Sequence, residues 1–243
     1  MSSILSENYS FNKAKKHAIY LYKICWSLYR FLYSRLFNKP LVHIIGDSHI
    51  FSFTQSKSFV IHPIGPATAY NLKKDKSTTN SNKKLFTIID KIKRKKDIVM
   101  LVFGEIDCRI HIYYQYKKNN EKFTITELID RTISNYGEVL EQLDIMDITF
   151  CVYGIPPAAK VGNVYDYPFY AAPEMRSKIN KEFNKRLKKF CKENGYKYMD
   201  IYSKVVDKNG FILEEYAADT VHLNNKVQKF VKEWLNNEFG INM

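Results

Sequence analysis

Past residue 40 the chain alternates short apolar runs with segments of helical period. Residues 41–45 (LVHII), 58–64, 97–103, 147–153 and 196–201 are rich in β-branched and aromatic residues and are bounded by turn formers, so each is expected to be a strand. Between them, apolar positions recur at helical spacing over 85–95, 125–144 and 173–193, and a last helix is expected over 224–238. Strands alternating with helices predict the α/β class, a parallel sheet covered by helices on both faces. The polar stretch 73–84 (KKDKSTTNSNKK) is expected to be a surface loop rather than a linker between domains.

Residues 1–40 follow a different pattern. Lys16, Lys23, Ser27, Arg30 and Ser34 fall on one narrow helical stripe, and apolar and aromatic residues such as Tyr20, Trp26, Leu28, Phe31 and Phe37 cover most of the rest. Lys23, Arg30 and Arg35 interrupt the run, and each charge at mid-bilayer would cost roughly 2.5 to 3.5 kcal/mol, so it is a poor spanning helix. No uninterrupted apolar core is followed by a small-residue cleavage site, so it is a poor signal peptide too. Two roles remain open: a helix over 13–37 lying on an anionic membrane surface, or one that packs on its own domain or a partner chain. The domain organisation expected is therefore a basic aromatic extension over 1–40 and one α/β domain over 41–243.

Charge and cysteine content narrow the partners. Lys and Arg outnumber Asp and Glu by 38 to 25, a net charge of +13 that favours anionic partners unless the lysines merely solvate helix faces. No zinc-finger spacing, RNP-like motif or basic zipper accompanies it, so nucleic acid is not expected as a partner. Cys25, Cys108, Cys151 and Cys191 lie far apart with no CxxC pair, which fits reduced thiols in the cytoplasm. The six histidines show no HxxxH or HxH spacing, and no metal is expected.

In an open parallel sheet ligands bind beyond the carboxyl ends of the strands. There the sequence places Gly46-Asp47-Ser48-His49 after the first strand, Gly65-Pro66-Ala67-Thr68 after the second and Gly104-Glu105-Ile106-Asp107-Cys108-Arg109 after the third. Asp219-Thr220-Val221-His222 precedes the last helix. A serine hydroxyl needs a base within hydrogen-bond reach, itself oriented by a third group, and Ser48, His222 and Asp219 supply those three types. Taken singly, GDSH could be a helix cap, DxxH a chance pair and GEID a turn; their joint order along the chain is what points to chemistry.

These residues resemble the SGNH (GDSL-type) serine hydrolase family, whose blocks would be Gly46 to Ser48, Gly65, Gly104 to Asp107, and Asp219 to His222. The resemblance spans about 41 to 240. It implies a flavodoxin-like α/β/α fold with five parallel strands in the order 2-1-3-4-5, Ser48 as nucleophile and oxyanion donor, Gly65 as second donor, His222 as base and Asp219 as its partner. It also groups Asp107 with the oxyanion and substrate-binding positions. One departure stands out: the family's third block is G-x-N-D, with the Asn as a further oxyanion donor, and Ile106 occupies that place. Arg109 is a candidate substitute, or else a salt-bridge partner of Asp107 or Glu105. His49 could touch substrate or, as a helix-start residue, face solvent.

The resemblance implies acyl-serine chemistry with no cofactor, or with acetyl-CoA or another acyl donor if the enzyme is a transferase. GDSH rather than GDSL is similar to SGNH domains linked to surface-polysaccharide acetylation, so a carbohydrate ester is the expected substrate. The alternatives are a lipid-directed esterase and a glycan-binding module. Cytoplasmic location is expected, with peripheral attachment to the inner membrane face through 13–37 if that helix binds lipid. Tyr165, Tyr167 and Phe169 could line the substrate cleft or form a lid.

Overall fold

The computed structural model of the chain describes Tyr29, Leu32, Leu36 and residues 40–241, apart from 55, 57–58, 93–95 and 161–167. It divides into two compact units, 1–41 and 42–243. The helix expected over 13–37 lies outside the described residues except for Tyr29, Leu32 and Leu36, which are helical and exposed. Cys25, Tyr165 and Tyr167 also lie outside them.

Five strands, β1 (Val42–Gly46), β2 (Phe59–Pro63), β3 (Ile98–Val102), β4 (Phe150–Tyr153) and β5 (Lys197–Met199), form one parallel sheet in the order β2-β1-β3-β4-β5. The α/β fold and the strand order are those the resemblance implied. Period-two alternation sends the side chains of each strand to two separate cores. Ile45, Val99 and Leu101 join one, which is closed by α1 (Ser81–Ile89), α3 (Ile125–Ile145) and α4 (Pro173–Glu193) through Leu85, Leu140 and Phe183. Val42, Ile44, Met100 and Val102 join the other, which is closed by α5 (Tyr202–Val205) and α6 (Gln228–Phe239) through Val205, Val231 and Leu235. Burying both faces is why these strands read as continuous apolar runs.

Helix ends follow local chemistry. Thr124 and Glu127 form a reciprocal capping box at the start of α3, Pro173 occupies the first turn of α4, and Gly240 closes α6 in the left-handed conformation. Differences from expectation have causes of the same kind. The first helix runs over Ser81–Ile89 rather than 85–95, because Asn82 is buried and donates to the Leu72 carbonyl at 2.9 Å, drawing the end of the polar stretch into the helix. β4 begins at Phe150, since Asp147 turns the chain at φ +56°. The segment after β3 is helical where a turn was expected: a π-turn over Asp107–His111 continues into α2 (Ile112–Lys118).

Candidate active site

The C-terminal edge of the sheet carries the site. Gly46 ends β1 opposite Pro63 of β2 and Val102 of β3, and a Cβ there would run into the Val102 carbonyl oxygen, so only glycine lets the chain pass. Asp47 caps the short helical turn Ser48–Phe53 by accepting from the His49 amide at 2.9 Å, which sets Ser48 as the first residue of that turn.

Ser48 is half-buried, and its Oγ lies 2.8 Å from His222 Nε2 across 174 residues of sequence. His222 Nδ1 lies 2.8 Å from Asp219 Oδ2 and 3.1 Å from Oδ1. A carboxylate only accepts, so Nδ1 carries the proton and Nε2 presents its lone pair to the serine hydroxyl. The Val221 and His222 amides each donate to Asp219 Oδ1 at 2.7 Å. Burial pushes the Asp219 carboxyl up, but these amides and the imidazole outweigh it and hold the group below its ordinary range. The loop is closed behind by Ala218 donating to the His222 carbonyl at 2.8 Å and by Asn224, whose amide donates to Glu215 and Ala217. Gln228 of α6 donates to the Ser52 carbonyl at 2.6 Å, tying the histidine loop's helix to the serine turn.

Gly65 follows β2, beside β1, with φ +90°, and the Ile64 amide before it donates to the Gly46 carbonyl at 3.0 Å. Asp107 is fully buried: its carboxylate accepts from the Ala69 amide at 2.7 Å and the Tyr70 amide at 3.2 Å, pinning the loop that starts at Gly65. Burial pushes this carboxyl up to about 7 in spite of both amides. Asp107, grouped by the sequence with the substrate-binding positions, thus lies beneath this loop, on the lining of the cavity that Thr68, Tyr70 and Asn71 also line.

His49 is buried rather than solvent-facing. Its Nε2 is 3.0 Å from Glu105 Oε2, and its ring lies 4.7 Å from the His222 ring. Arg109 Nε donates to Glu105 Oε1 at 2.8 Å and Oε2 at 3.0 Å, so of its expected partners it takes Glu105. Both side chains thus converge on one buried carboxylate, and the salt-bridge alternative for Arg109 is the one observed. Burial alone would push Glu105 up, yet His49 and Arg109 hold it down to about 2, and burial would push His49 down, yet Glu105 holds it up. The sequence reading saw Glu105 only as a possible partner for Arg109; its i,i+4 spacing from Arg109 was a visible signal, whereas the link to His49 was not. Phe169 is exposed and its ring stands 6.3 Å from that of Tyr114 on α2. Among the described residues no group of three or more His, Cys, Asp or Glu could hold a metal ion.

A doubly covered parallel sheet with a serine–imidazole–carboxylate chain at its C-terminal edge is an arrangement that suits the class of ester hydrolases. The sequence profile of GDSL-like lipases and acylhydrolases matches residues 34–235, and the chain belongs to that family. Similar solved structures include a GDSL-like lipase from Bacteroides thetaiotaomicron VPI-5482, with 16% identity over 82% of this chain and 87% of that one and a TM-score of 0.51. A catalytic mutant of an acetylxylan esterase from Geobacillus stearothermophilus gives 13% identity, 84% and 95% coverage and a TM-score of 0.50. At these identities the likeness is one of fold. No curated protein sequence matches the chain.

Proposed function

We propose that the protein is a serine-dependent O-acyl ester hydrolase or O-acyltransferase acting on a carbohydrate, with acetyl as the acyl group. The observation that carries this is the unbroken Ser48–His222–Asp219 chain of hydrogen bonds at the open edge of the sheet. Ser48 Oγ attacks the ester carbonyl while His222 Nε2 takes its proton, giving a tetrahedral oxyanion and an imidazolium held by Asp219. Ser48 opens a helical turn, so its amide has no intrahelical partner, and it and the Gly65 amide are the donors assigned to the oxyanion. Collapse breaks the C–O bond, and the imidazolium gives its proton to the departing sugar oxygen. Water, or a second sugar hydroxyl, then loses a proton to His222 and attacks the acyl-serine, which separates hydrolase from transferase only at this step. The acetylxylan esterase among the fold relatives supports a carbohydrate ester.

The test is the time course of p-nitrophenyl acetate cleavage beside Ser48→Ala. Steady turnover lost in the variant is expected of a hydrolase, and a one-equivalent burst that stalls is expected of an acyl-enzyme awaiting an acceptor. Equal rates in the two proteins would overturn the assignment of Ser48 as nucleophile.

A second reading, a lipid-directed esterase attached through residues 13–37, is favoured by Tyr29, Leu32 and Leu36, which are helical, exposed and spaced along one face. Co-sedimentation of the full chain with anionic vesicles, reduced by Leu32→Asp and Leu36→Asp, is its expected mark. Among the described residues no helix is long and apolar enough to cross a membrane.

A further inference from the structure

Against the loop that follows Gly65 is a cavity of about 480 Å³, within the range of about 300 to 1,000 Å³ usual for small-molecule sites. One wall is the loop itself, through Thr68, Tyr70 and Asn71; the opposite wall is α2 with the start of α3. Its rim carries two cations held over rings: Arg131 lies 4.9 Å from the Phe123 centroid and Lys74 Nζ 5.3 Å from that of Tyr70. Among the described residues neither is ion-paired to a carboxylate. Glu127, the acid whose charge Arg131 feels, is occupied by the Thr124 capping box, and Asp107 at the cavity floor is sealed by the Ala69 and Tyr70 amides. Tyr114, whose ring has Lys118 Nζ 5.5 Å from its centroid, and the Gln115 amide also line it, and burial together with Arg109 pushes His111 down, favouring the neutral imidazole.

We infer that this cavity is a subsite for an anionic sugar unit, a pyranose bearing a carboxylate or a phosphate, of the substrate acted on at Ser48. Aromatic faces suit the apolar face of a pyranose, the amide and imidazole suit its hydroxyls, and Arg131 and Lys74 suit its negative charge. A fully apolar ligand would leave those cations and amides unmatched, and a neutral sugar would leave the charge unused. The inference rests on the carbohydrate reading given above. It deepens that reading, because the loop that begins at the assigned oxyanion donor Gly65 also forms a wall of the cavity, and Asp107 on its lining lies within electrostatic reach of Asp47, the neighbour of Ser48.

The test is isothermal titration of the full-length protein with trigalacturonate, with glucose 1-phosphate and with xylotriose. Binding of either anionic ligand at least tenfold tighter than xylotriose, weakened tenfold or more in Arg131→Gln/Lys74→Gln, is expected, and which anion binds identifies the source of the charge. A charge-matched control, Lys178→Gln/Lys208→Gln at exposed lysines of α4 and the 206–210 loop, should bind as the parent does. No binding, equal binding of xylotriose, or equal loss in both double variants would overturn the subsite. The titration does not depend on Ser48, whereas p-nitrophenyl acetate turnover does. Failure of one with success of the other therefore separates the subsite from the catalytic assignment.

Discussion

The imidazole of His49 rests on that of His222 with ring centroids 4.7 Å apart and planes tilted by 42°, while its Nε2 is 3.0 Å from Glu105 Oε2. One face of the base is thus packed against a buried imidazole whose protonated form Glu105 favours against the cost of burial. Arg109 shares that carboxylate. Removing one partner of a buried ionic cluster leaves charge uncompensated, at a cost of about 3 to 5 kcal/mol. Glu105→Gln is expected to lose stability on that scale, read from the urea unfolding midpoint, and to lower kcat by disturbing the surface against which His222 sits.

Asp219→Asn is expected to reduce kcat by on the order of 10² to 10⁴ with little change in KM. The asparagine carbonyl can still accept from the Val221 and His222 amides, but its NH₂ would face Nδ1 and favour the tautomer with no lone pair toward Ser48. Because the Asp219 carboxyl is held below its ordinary range, its contribution to stability is present above about pH 4 and fades as pH falls through the lower folded value. Its side chain is 55% exposed, so the stability change should be small and the kinetic change large.

Asp107 gives pH dependence of the opposite sign. Burial lifts its carboxyl to about 7, so between about pH 4 and pH 7 the folded chain holds a proton that the unfolded chain has released. Its contribution to stability is full below about pH 4 and falls as pH rises through 7, by up to about 1.4 kcal/mol per pH unit. Thermal midpoints at pH 4.5 and 7.5 should therefore differ less in Asp107→Asn than in the parent protein.

Gly46→Ala is expected to lower stability by about 1 to 3 kcal/mol or more and to abolish ester cleavage. Besides the Val102 carbonyl, the new methyl would lie 2.8 Å from Ile50 Cγ2 and 2.9 Å from Val102 Cβ, so relief would displace the turn that holds Ser48. Chemical denaturation and p-nitrophenyl acetate turnover report the two effects separately.

Ile106→Asn restores the donor type that the family's third block carries. Loss of such a donor costs about 10² to 10³ in rate elsewhere, so a rise in kcat of tenfold or more on p-nitrophenyl acetate is expected. An unchanged kcat would mean that the side chain at 106 does not reach the oxyanion.

Much of the architecture could be read from the chain because both faces of the sheet are covered: Ile44 and Ile45, or Leu101 and Val102, are adjacent apolar residues that only a doubly buried strand needs. Helix limits were legible where a cap is local, as at Thr124 and Pro173, and missed where a long-range bond sets them, as Asn82 to Leu72 does for α1. The helical turn after Gly104 escaped because Asp107 is held by amides 38 and 37 residues away, and those bonds leave no mark in a short window.

From order and spacing alone come the class of fold, the strands, and the identity of Ser48, Asp219 and His222 as the residues able to form a nucleophile, its base and the base's partner. These follow from the period of apolar positions and from the chemistry of single side chains, both local properties. Folding of the chain as a whole set where His49, Arg109 and Asp107 point. In a low-dielectric interior each charged group turns to whichever opposite charge or amide can replace its lost water: Glu105 for the first two, Ala69 and Tyr70 for the third. Proximity of that kind, between residues tens of positions apart, exists only once β1, β2 and β3 lie side by side.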